Sequence, residues 1–170
     1  MERTDRELLA RIAAGDRDAM QRLHSRYGDR LFRFAVSRLR AHDEAEDVVQ
    51  ETMIAIWRNA SAYRSGSSPS TWLFGICRNK VGDALRRRKP TDPLPPGPPS
   101  ATDPADPSAV EFWEAFSRLT DEQQELILLV FHQGFSQQEV AEIMQVPVGT
   151  IKSRTFYARR QLQALLAEGD

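Results

Sequence analysis

The sequence has little of several residue types on which whole classes of protein depend. Among its 170 residues there is one cysteine, Cys77, which excludes an internal disulfide framework and a cysteine-rich zinc site. The longest apolar run covers residues 126–131, far short of the about 18 residues that a membrane-spanning helix needs. The N-terminal residues lack the basic and then apolar layout of a secretory signal peptide. These absences predict a cytoplasmic protein that inserts into no membrane.

Histidine is also scarce, which bears on metal binding and catalysis. The three histidines, His24, His42 and His132, are scattered, and we expect none of them to lie beside a second metal-ligand pattern. A di-metal carboxylate site needs Glu-x-x-His pairs on several helices, and the sequence has no such pairs. Cys77 lies in an apolar stretch, which favours a small buried side chain over a nucleophile. The sequence therefore predicts no catalytic residue, no metal and no cofactor.

The near-neutral net charge conceals an uneven distribution along the chain. Lys plus Arg is 23 and Asp plus Glu is 24, a net charge of −1 that by itself argues against nucleic-acid binding. Residues 1–89 nevertheless carry 18 basic and 12 acidic side chains, and a basic run covers residues 86–89. In the C-terminal part, a ten-residue window without any acid holds Lys152, Arg154, Arg159 and Arg160. The chain therefore has two separate basic patches.

Proline is rare except in one segment between these patches. Eight of the ten prolines lie between Pro90 and Pro107. Because proline lacks an N–H donor and clashes in a helix interior, residues 90–109 are expected to form an extended, semi-rigid linker. At about 3.1 Å per residue this linker would reach roughly 60 Å, about 18 base pairs of DNA. A tether without further function is the alternative interpretation.

Strand patterns are absent, and apolar residues recur at helical spacing on both sides of the linker. The predicted fold is all-α, with two small helical domains, residues 1–89 and 110–170, joined by the proline-rich linker. A long helix is predicted from Asp16 to about Arg40. Asp43 is predicted to cap the next helix, with Glu46 as its capping-box partner, and Ser70 or Thr71 is predicted to cap the one after it. After the linker, a short helix is predicted over residues 110–119, and Thr120 is predicted to cap a helix from Asp121 to about Gln133.

The last third of the chain has the pattern of a helix-turn-helix motif. Ser136 and Glu139 predict a capping box that starts a short helix, Gln137–Met144. Residues 145–149 break this helix, and a second helix is predicted from Thr150 to about residue 166. In such a motif the residues near the start of the second helix reach base edges in the major groove, whereas later arginines contact phosphates. A helical hairpin with a solvated basic face is the alternative.

Two further stretches of the N-terminal part have functional and structural interpretations. Aromatic residues alternate with bases around a polar loop at residues 63–80, as in sites that stack and extrude unpaired bases. The alternative, favoured for this stretch alone, is that Trp72 and Phe74 are core residues. A helix carries five acids interleaved with apolar residues, which fits either a solvated face or a docking face for a basic partner: Asp43, Glu44, Glu46, Asp47 and Glu51.

These blocks, in this order, resemble bacterial RNA polymerase sigma factors of the extracytoplasmic-function group. The segment DEAEDVVQETMIAIW resembles region 2.2, YRSGSSPSTWLFGICRNKVGDALRRRK resembles regions 2.3 and 2.4, and LTDEQQELILLVFHQGFSQQEVAEIMQVPVGTIKSRTFYARRQL resembles region 4. The resemblance covers nearly the whole chain except the linker. It implies a protein, not itself an enzyme, that binds core RNA polymerase, reads the minus-ten and minus-thirty-five promoter elements, helps open the DNA, and is held inactive by an anti-sigma factor.

The resemblance also implies three sets of site residues. Docking on the clamp coiled coil of the polymerase largest subunit, with the flap region as a second contact, is implied for Asp47, Gln50, Glu51 and Trp57. Capture of a flipped base and minus-ten recognition are implied for Arg64, Ser65, Gly66, Ser67, Ser68, Trp72, Arg78, Asn79, Lys80, Arg86 and Arg87. Minus-thirty-five recognition is implied for Gln137, Thr150, Lys152, Ser153, Arg154, Phe156, Tyr157 and Arg159.

The sequence departs from the family pattern in the helix-turn-helix. Gln145 stands where the turn usually has glycine, so a left-handed backbone there carries a cost. Thr155 stands where leucine is frequent, and Phe156-Tyr157 replaces a more polar pair, which alters the expected minus-thirty-five preference. Two other functions compete with the sigma-factor interpretation. One is a freestanding helix-turn-helix regulator with a helical sensor domain, which would bind duplex DNA alone; the other is a helical metal-carboxylate enzyme, which the missing histidine ligands disfavour.

Overall fold

The computed structural model describes residues 2–88 and 107–169, and every regular element in these ranges is helical. The prediction of an all-α fold with two helical domains is confirmed. The predicted linker lies largely outside the described residues. The helices are α1 (Glu2–Ala13), α2 (Arg17–Leu39), α3 (His42–Asn59), α4 (Pro69–Arg87), α5 (Pro107–Ser117), α6 (Asp121–Ile127), α7 (Gln137–Met144) and α8 (Val148–Glu168), with a 3₁₀ turn at Ala60–Ala62 and a π-helical turn at Leu128–His132.

The N-terminal domain packs α1 to α4 around an apolar core. Leu23, Leu31 and Phe34 of α2 are fully buried, as their helical spacing predicts. The long helix begins as predicted after Asp16, whose carboxylate accepts a hydrogen bond from the Ala19 N–H at 3.1 Å. Burying these side chains against the neighbouring helices is the main favourable contribution to folding of the domain.

Helix α1 has no counterpart in the sequence-based prediction. Its Asp5 is buried, forms an ion pair with Arg26 and accepts a hydrogen bond from the Tyr27 hydroxyl at 2.5 Å. Burial raises the pKa of Tyr27, and the hydrogen bond to Asp5 raises it further. A buried carboxylate is tolerated here because a cation and a hydroxyl from α2 both satisfy it.

Four predicted helix starts are wrong by two or three residues. Helix α3 begins at His42 with no side-chain cap, so Asp43 is a first-turn acid favoured by the helix dipole rather than the N-cap. Ser68, not Ser70 or Thr71, caps α4 by accepting from the Thr71 N–H at 3.2 Å. Prolines explain most of the shifts, because their fixed φ suits the start of a helix. Pro69 and Pro107 are the first residues of α4 and α5. Pro147 directly precedes α8, which therefore begins at Val148 rather than at Thr150.

The C-terminal domain contains the predicted helix-turn-helix. Ser136 caps α7 through the predicted capping box with Glu139. Thr120 caps α6 as predicted and also forms a capping box with Gln123, which was not predicted. Gln145 adopts the left-handed conformation, φ 59°, which lets the chain turn from α7 into α8. The segment after α6 differs from the prediction of one α-helix to Gln133, because its last turn, Leu128–His132, is π-helical.

The two domains are in contact. Helix α4 of the N-terminal domain packs on α7 of the C-terminal domain, and α2 approaches the π-helical turn. The Phe74 and Phe135 rings meet edge to face with centroids 4.9 Å apart. In the described part of the chain, we find no helix with the length and apolar composition that crossing a membrane requires.

A buried threonine in α8 gives a test of the packing. Thr155 is 5% exposed, and its Oγ1 has no hydrogen-bond partner among the described residues. Valine has nearly the same shape and removes the unsatisfied hydroxyl, so Thr155→Val is expected to raise the free energy of unfolding by about 1 kcal/mol. Urea unfolding followed by circular dichroism measures this change.

Thr52 is the matched control for this substitution. It is also buried in a helix, but its hydroxyl donates to the Val48 carbonyl oxygen at 2.7 Å. Thr52→Val should therefore lower the free energy of unfolding, by about 1 kcal/mol. Destabilisation by Thr155→Val comparable to that by Thr52→Val would contradict the assignment of an unsatisfied hydroxyl.

Candidate nucleic-acid and protein interfaces

Helix α8 presents a basic and aromatic surface near its N-terminus. Lys152, Ser153, Phe156 and Tyr157 are all exposed, the two aromatic rings at 57% and 65%. The Ser153 hydroxyl donates to the Gly149 carbonyl oxygen at 3.2 Å. Ile151, Thr155 and Ala158 on the opposite face are buried and fix the orientation of the helix. The structure thus brings the predicted base-reading residues together on one open face.

The arginines predicted to contact phosphates have different surroundings. Arg154 forms an ion pair with Glu122 of α6 at 2.8 Å. Arg160 lies over the Phe156 ring, 5.7 Å from its centroid. Arg159 lies over Phe131 at 5.9 Å and lines a groove of the C-terminal domain. Two further residues implied for minus-thirty-five recognition, Gln137 and Thr150, are half-buried at the starts of α7 and α8.

The polar loop before α4 is held at both ends. The Tyr63 hydroxyl donates to the Ser67 carbonyl oxygen at 2.6 Å, and the Tyr63 ring packs edge to face on Trp72 with centroids 5.4 Å apart. Arg6 of α1 donates to the Ser65 carbonyl oxygen at 3.2 Å. Arg64, Ser65 and Gly66 are exposed. The loop therefore has a defined backbone conformation and is exposed to solvent, rather than being a loose connection between helices.

The aromatic residues of this stretch divide between the two interpretations. Phe74 is fully buried, as the core interpretation predicts, whereas Trp72 is half-buried beside the loop and available on one side. Further along α4, Asn79 is exposed and Lys80 is half-buried. Arg86 and Arg87 are exposed near the helix end, where cations are favoured by the dipole.

Some bases of α4 already have acidic partners within the chain. Arg78 forms an ion pair with Glu125 of the C-terminal domain, and Arg87 lies 3.7 Å from Glu51 of α3. Arg88, which directly follows α4, pairs with Glu44 of α3 at 3.0 Å. The predicted minus-ten and polymerase-docking sets are thus in contact through Arg87 and Glu51.

The acidic helix α3 exposes a stripe of polar and apolar side chains. Asp47, Gln50, Ile54 and Trp57 follow one another at helical spacing and are exposed, Ile54 at 50% and Trp57 at 38%. A shallow apolar cleft lined by Met20, Met53 and Trp57 adjoins the stripe. Ile54 was not among the predicted site residues. It could have been found from the sequence, because it is an apolar residue at helical spacing from the polar residues of the same face. This stripe has the mixture of apolar centre and polar rim that protein interfaces use.

His42 does have ligand-type neighbours, contrary to the prediction. Potential ligand atoms of His42, Asp43 and Glu46 lie within 4.8 Å of one another. His42 and Glu46 are four residues apart and therefore share one face of α3. All three side chains are exposed. The His42 ring also packs against Phe32 with centroids 5.1 Å apart.

A groove in the C-terminal domain was not predicted. It has a volume of about 470 Å³ and lies between α5, the π-helical turn and α8, lined mainly by Phe112, Trp113, Leu128, Phe131 and Leu162. His132 stands beside it, and partial burial together with nearby Arg33 lowers its pKa. The aromatic residues of α5 are the sequence feature from which this groove could have been predicted. Such an apolar, open groove suits an amphipathic segment of another protein.

Cys77 fits the predicted structural role. Its side chain is fully buried in α4, and burial raises the pKa of the thiol to about 12. The thiolate form needed for nucleophilic or redox chemistry is therefore strongly disfavoured.

Both halves of the chain match known families. Residues 23–91 match the Sigma-70 region 2 family and residues 115–164 match the Sigma-70 region 4 family. The chain is 38% identical over 168 residues to ECF RNA polymerase sigma factor SigM of Mycobacterium tuberculosis, which covers 97% of this chain and 86% of the relative. It is 36% identical over 139 residues to the sigma factor EcfG of Rhodopseudomonas palustris, covering 78% and 77%.

Solved structures give the same assignment. CnrH, solved in complex with the cytosolic domain of CnrY, has a TM-score of 0.80 and 28% identity, over 98% of this chain and 99% of that one. RpoE of Bartonella quintana, solved with the anti-sigma factor NepR, has a TM-score of 0.75 and 31% identity, over 86% and 96%. With the helix-turn-helix, the ordered loop before α4 and the α3 stripe in the order that the sequence predicts, the chain belongs to the extracytoplasmic-function group of RNA polymerase sigma factors.

Proposed function

We propose that the chain acts in the bacterial cytoplasm as a promoter-specificity subunit built from residues 1–89, a linker at 90–109 and residues 110–170. The observation that carries this proposal is that one chain exposes three different surfaces: the acidic and apolar stripe on α3, the ordered loop before α4, and the basic and aromatic face of α8. A freestanding helix-turn-helix regulator would use neither the stripe nor the ordered loop. Like sigma factors in general, the chain is a non-enzymatic initiation factor.

The loop before α4 is the proposed capture site for an extruded base. Its backbone is held by the Tyr63 hydroxyl and by Arg6, so polar groups of Ser65 to Ser68 are positioned before DNA arrives. A preformed site lowers the ordering cost of binding. Trp72 beside the loop offers a stacking face, and Asn79 offers an amide that can both donate to and accept from a base edge.

Helix α8 is the proposed reader of the minus-thirty-five element. Lys152 and Ser153 lie in its first two turns, which is where a recognition helix meets base edges. Phe156 and Tyr157 supply apolar surface suited to thymine methyl groups and sugars. Arg154 and Arg160 are proposed to contact phosphates and to set the position of the helix.

The two apolar surfaces are the proposed polymerase contacts. The α3 stripe with Asp47, Gln50 and Trp57, extended by Glu51 and the newly found Ile54, is assigned to the clamp coiled coil of the largest subunit. The groove of the C-terminal domain is assigned to the flap region that the family resemblance implies. We also propose that an anti-sigma factor binds this chain, as CnrY and NepR are bound by the related proteins CnrH and RpoE.

In vitro transcription with purified core polymerase and a library of promoters tests the proposed function. We expect transcripts that need the chain, the core enzyme and a two-element promoter together. Sequence-specific binding to duplex DNA by the chain alone, with no transcripts when core is added, would instead support the freestanding regulator.

Lys152→Ala removes a cation from the start of the recognition helix. It is expected to weaken promoter use by about tenfold, about 1.4 kcal/mol, on promoters with a strong minus-thirty-five element. Gln161→Ala, an exposed change further along α8, is the control and should leave transcript yields unchanged. Equal activity of Lys152→Ala and wild type across all minus-thirty-five variants would exclude a reading role for Lys152.

Asn79→Ala removes the exposed amide of α4 that faces the proposed melted region. Holoenzyme with this variant should form but should open promoter DNA less, because the base-edge hydrogen bonds are lost. Permanganate footprinting measures the unpaired thymines. Asn59→Ala, an exposed asparagine of α3 whose amide donates to its own helix, is the control. A wild-type footprint for Asn79→Ala would refute the assignment.

Asp47→Lys reverses a charge in the middle of the α3 stripe. Binding to core polymerase should weaken at least about tenfold, because a cation replaces an acid that meets a basic partner surface. The control Asp29→Lys makes the same change at an exposed acid of α2. A pull-down or equilibrium titration with core measures the difference, and equal affinities of the two variants would remove Asp47 from the docking surface.

A further inference from the structure

The face of α4 that carries Arg78 lies against the C-terminal domain. One turn before Arg78, the fully buried Phe74 meets Phe135, which is 6% exposed. The Arg30 guanidinium covers both rings, 5.2 Å from the Phe74 centroid and 5.6 Å from that of Phe135. Its Nε also donates to Gln133 Oε1 at 3.3 Å. This contact between the domains, here called the seam, therefore has an apolar centre.

A buried arginine forms the second part of the seam. The Arg38 side chain is 4% exposed, and its Nη1 donates to Gln124 Oε1 of α6 at 2.9 Å. The same amide of Gln124 donates to the Phe116 and Leu119 carbonyl oxygens, which fixes its orientation. Burial lowers the pKa of Arg38, while nearby Glu125 and Asp121 oppose the shift. Burying a cation is costly without partners, and the partners of Arg38 come from the other domain.

Helix α6 supplies carboxylates to one arginine of each proposed DNA surface. Glu122 and Glu125 are three residues apart and therefore share a helix face. Glu125 forms an ion pair with Arg78 across the seam, and Glu122 forms one with Arg154 of the recognition helix at 2.8 Å. Carboxylate and phosphate oxygens suit the same donors of a guanidinium group, so a bound carboxylate competes with DNA.

We propose that the free chain closes on itself, with α6 acting as an internal mimic of DNA phosphate. In this closed state Glu125 of the C-terminal domain holds Arg78 of the N-terminal domain across the seam. Glu122 holds Arg154 within the C-terminal domain itself, so each DNA surface lacks one of its cations. Promoter binding requires the seam to open, which frees Arg78, and requires a DNA phosphate to replace Glu122 at Arg154. This inference rests on the proposed function for the identity of the DNA surfaces, whereas the closed state itself does not.

Small-angle X-ray scattering of the free, full-length chain tests the closed state. A compact chain of this length has a radius of gyration of about 16 Å. We expect the wild type to lie near this value at low salt, and Glu125→Arg to increase it by several ångströms because two cations then face each other. Glu111→Arg, the same change at an exposed residue of α5, should leave it unchanged. Identical scattering curves for wild type and Glu125→Arg would overturn the closed state.

A charge-swapped double variant shows whether any expansion of Glu125→Arg comes from loss of the ion pair or from unfolding. Arg78→Glu combined with Glu125→Arg restores the ion pair with its polarity reversed, so its radius of gyration should return to the wild-type value. A double variant as expanded as Glu125→Arg, with helical circular dichroism retained in both, would also overturn the proposal.

Binding to a fluorescein-labelled duplex tests the masking of the DNA surfaces. Without core polymerase, Glu125→Arg should bind about tenfold more tightly than Glu111→Arg, which has the same net charge. Equal affinities of the two variants would overturn the masking role of α6. Failure of the proposed function would appear separately, as an absence of transcripts when wild-type chain and core polymerase are combined.

Discussion

Arginine side chains in this molecule are shared between carboxylates of the chain and the phosphates of its proposed DNA partner. A guanidinium group that is removed from water needs an anion, a carbonyl oxygen or an aromatic face beside it. The chain supplies these groups internally: Asp5 for Arg26, Gln124 for Arg38, Glu125 for Arg78 and Glu122 for Arg154. Bases of α4 and α8 are partly neutralised in this way, because acids of α3 and α6 pair with them.

The arrangement gives the same residues a role in folding and in recognition. Ion pairs that are partly exposed contribute little to stability, so exchanging them for phosphate contacts costs little. Apolar packing instead holds the helices that present them, with Phe34 and Leu31 in the N-terminal domain and Leu126 and Ile151 in the C-terminal domain. The rigid parts are therefore apolar, and the parts that must change partners are ionic.

Local features of the fold could be predicted from the sequence. The N-cap at Thr120, the capping box at Ser136 and the left-handed Gln145 depend on residues within a few positions of one another, and each was predicted correctly. Helix α1 was not predicted, because the contact that stabilises it, between Asp5 and Tyr27, joins residues far apart in sequence. The proximity of His42 to Asp43 and Glu46 was missed because the helix starts one residue before the expected cap. The seam and the C-terminal groove depend on tertiary packing that helical periodicity does not encode.

Specific DNA binding by this chain is proposed to depend on association with core polymerase. Fluorescence anisotropy of a labelled duplex carrying both promoter elements, titrated with the wild-type chain in the absence and presence of core, measures this dependence. We expect weak, salt-sensitive binding by the chain alone and tight, sequence-specific binding once core is present. Equally tight and equally specific binding in both titrations would contradict it.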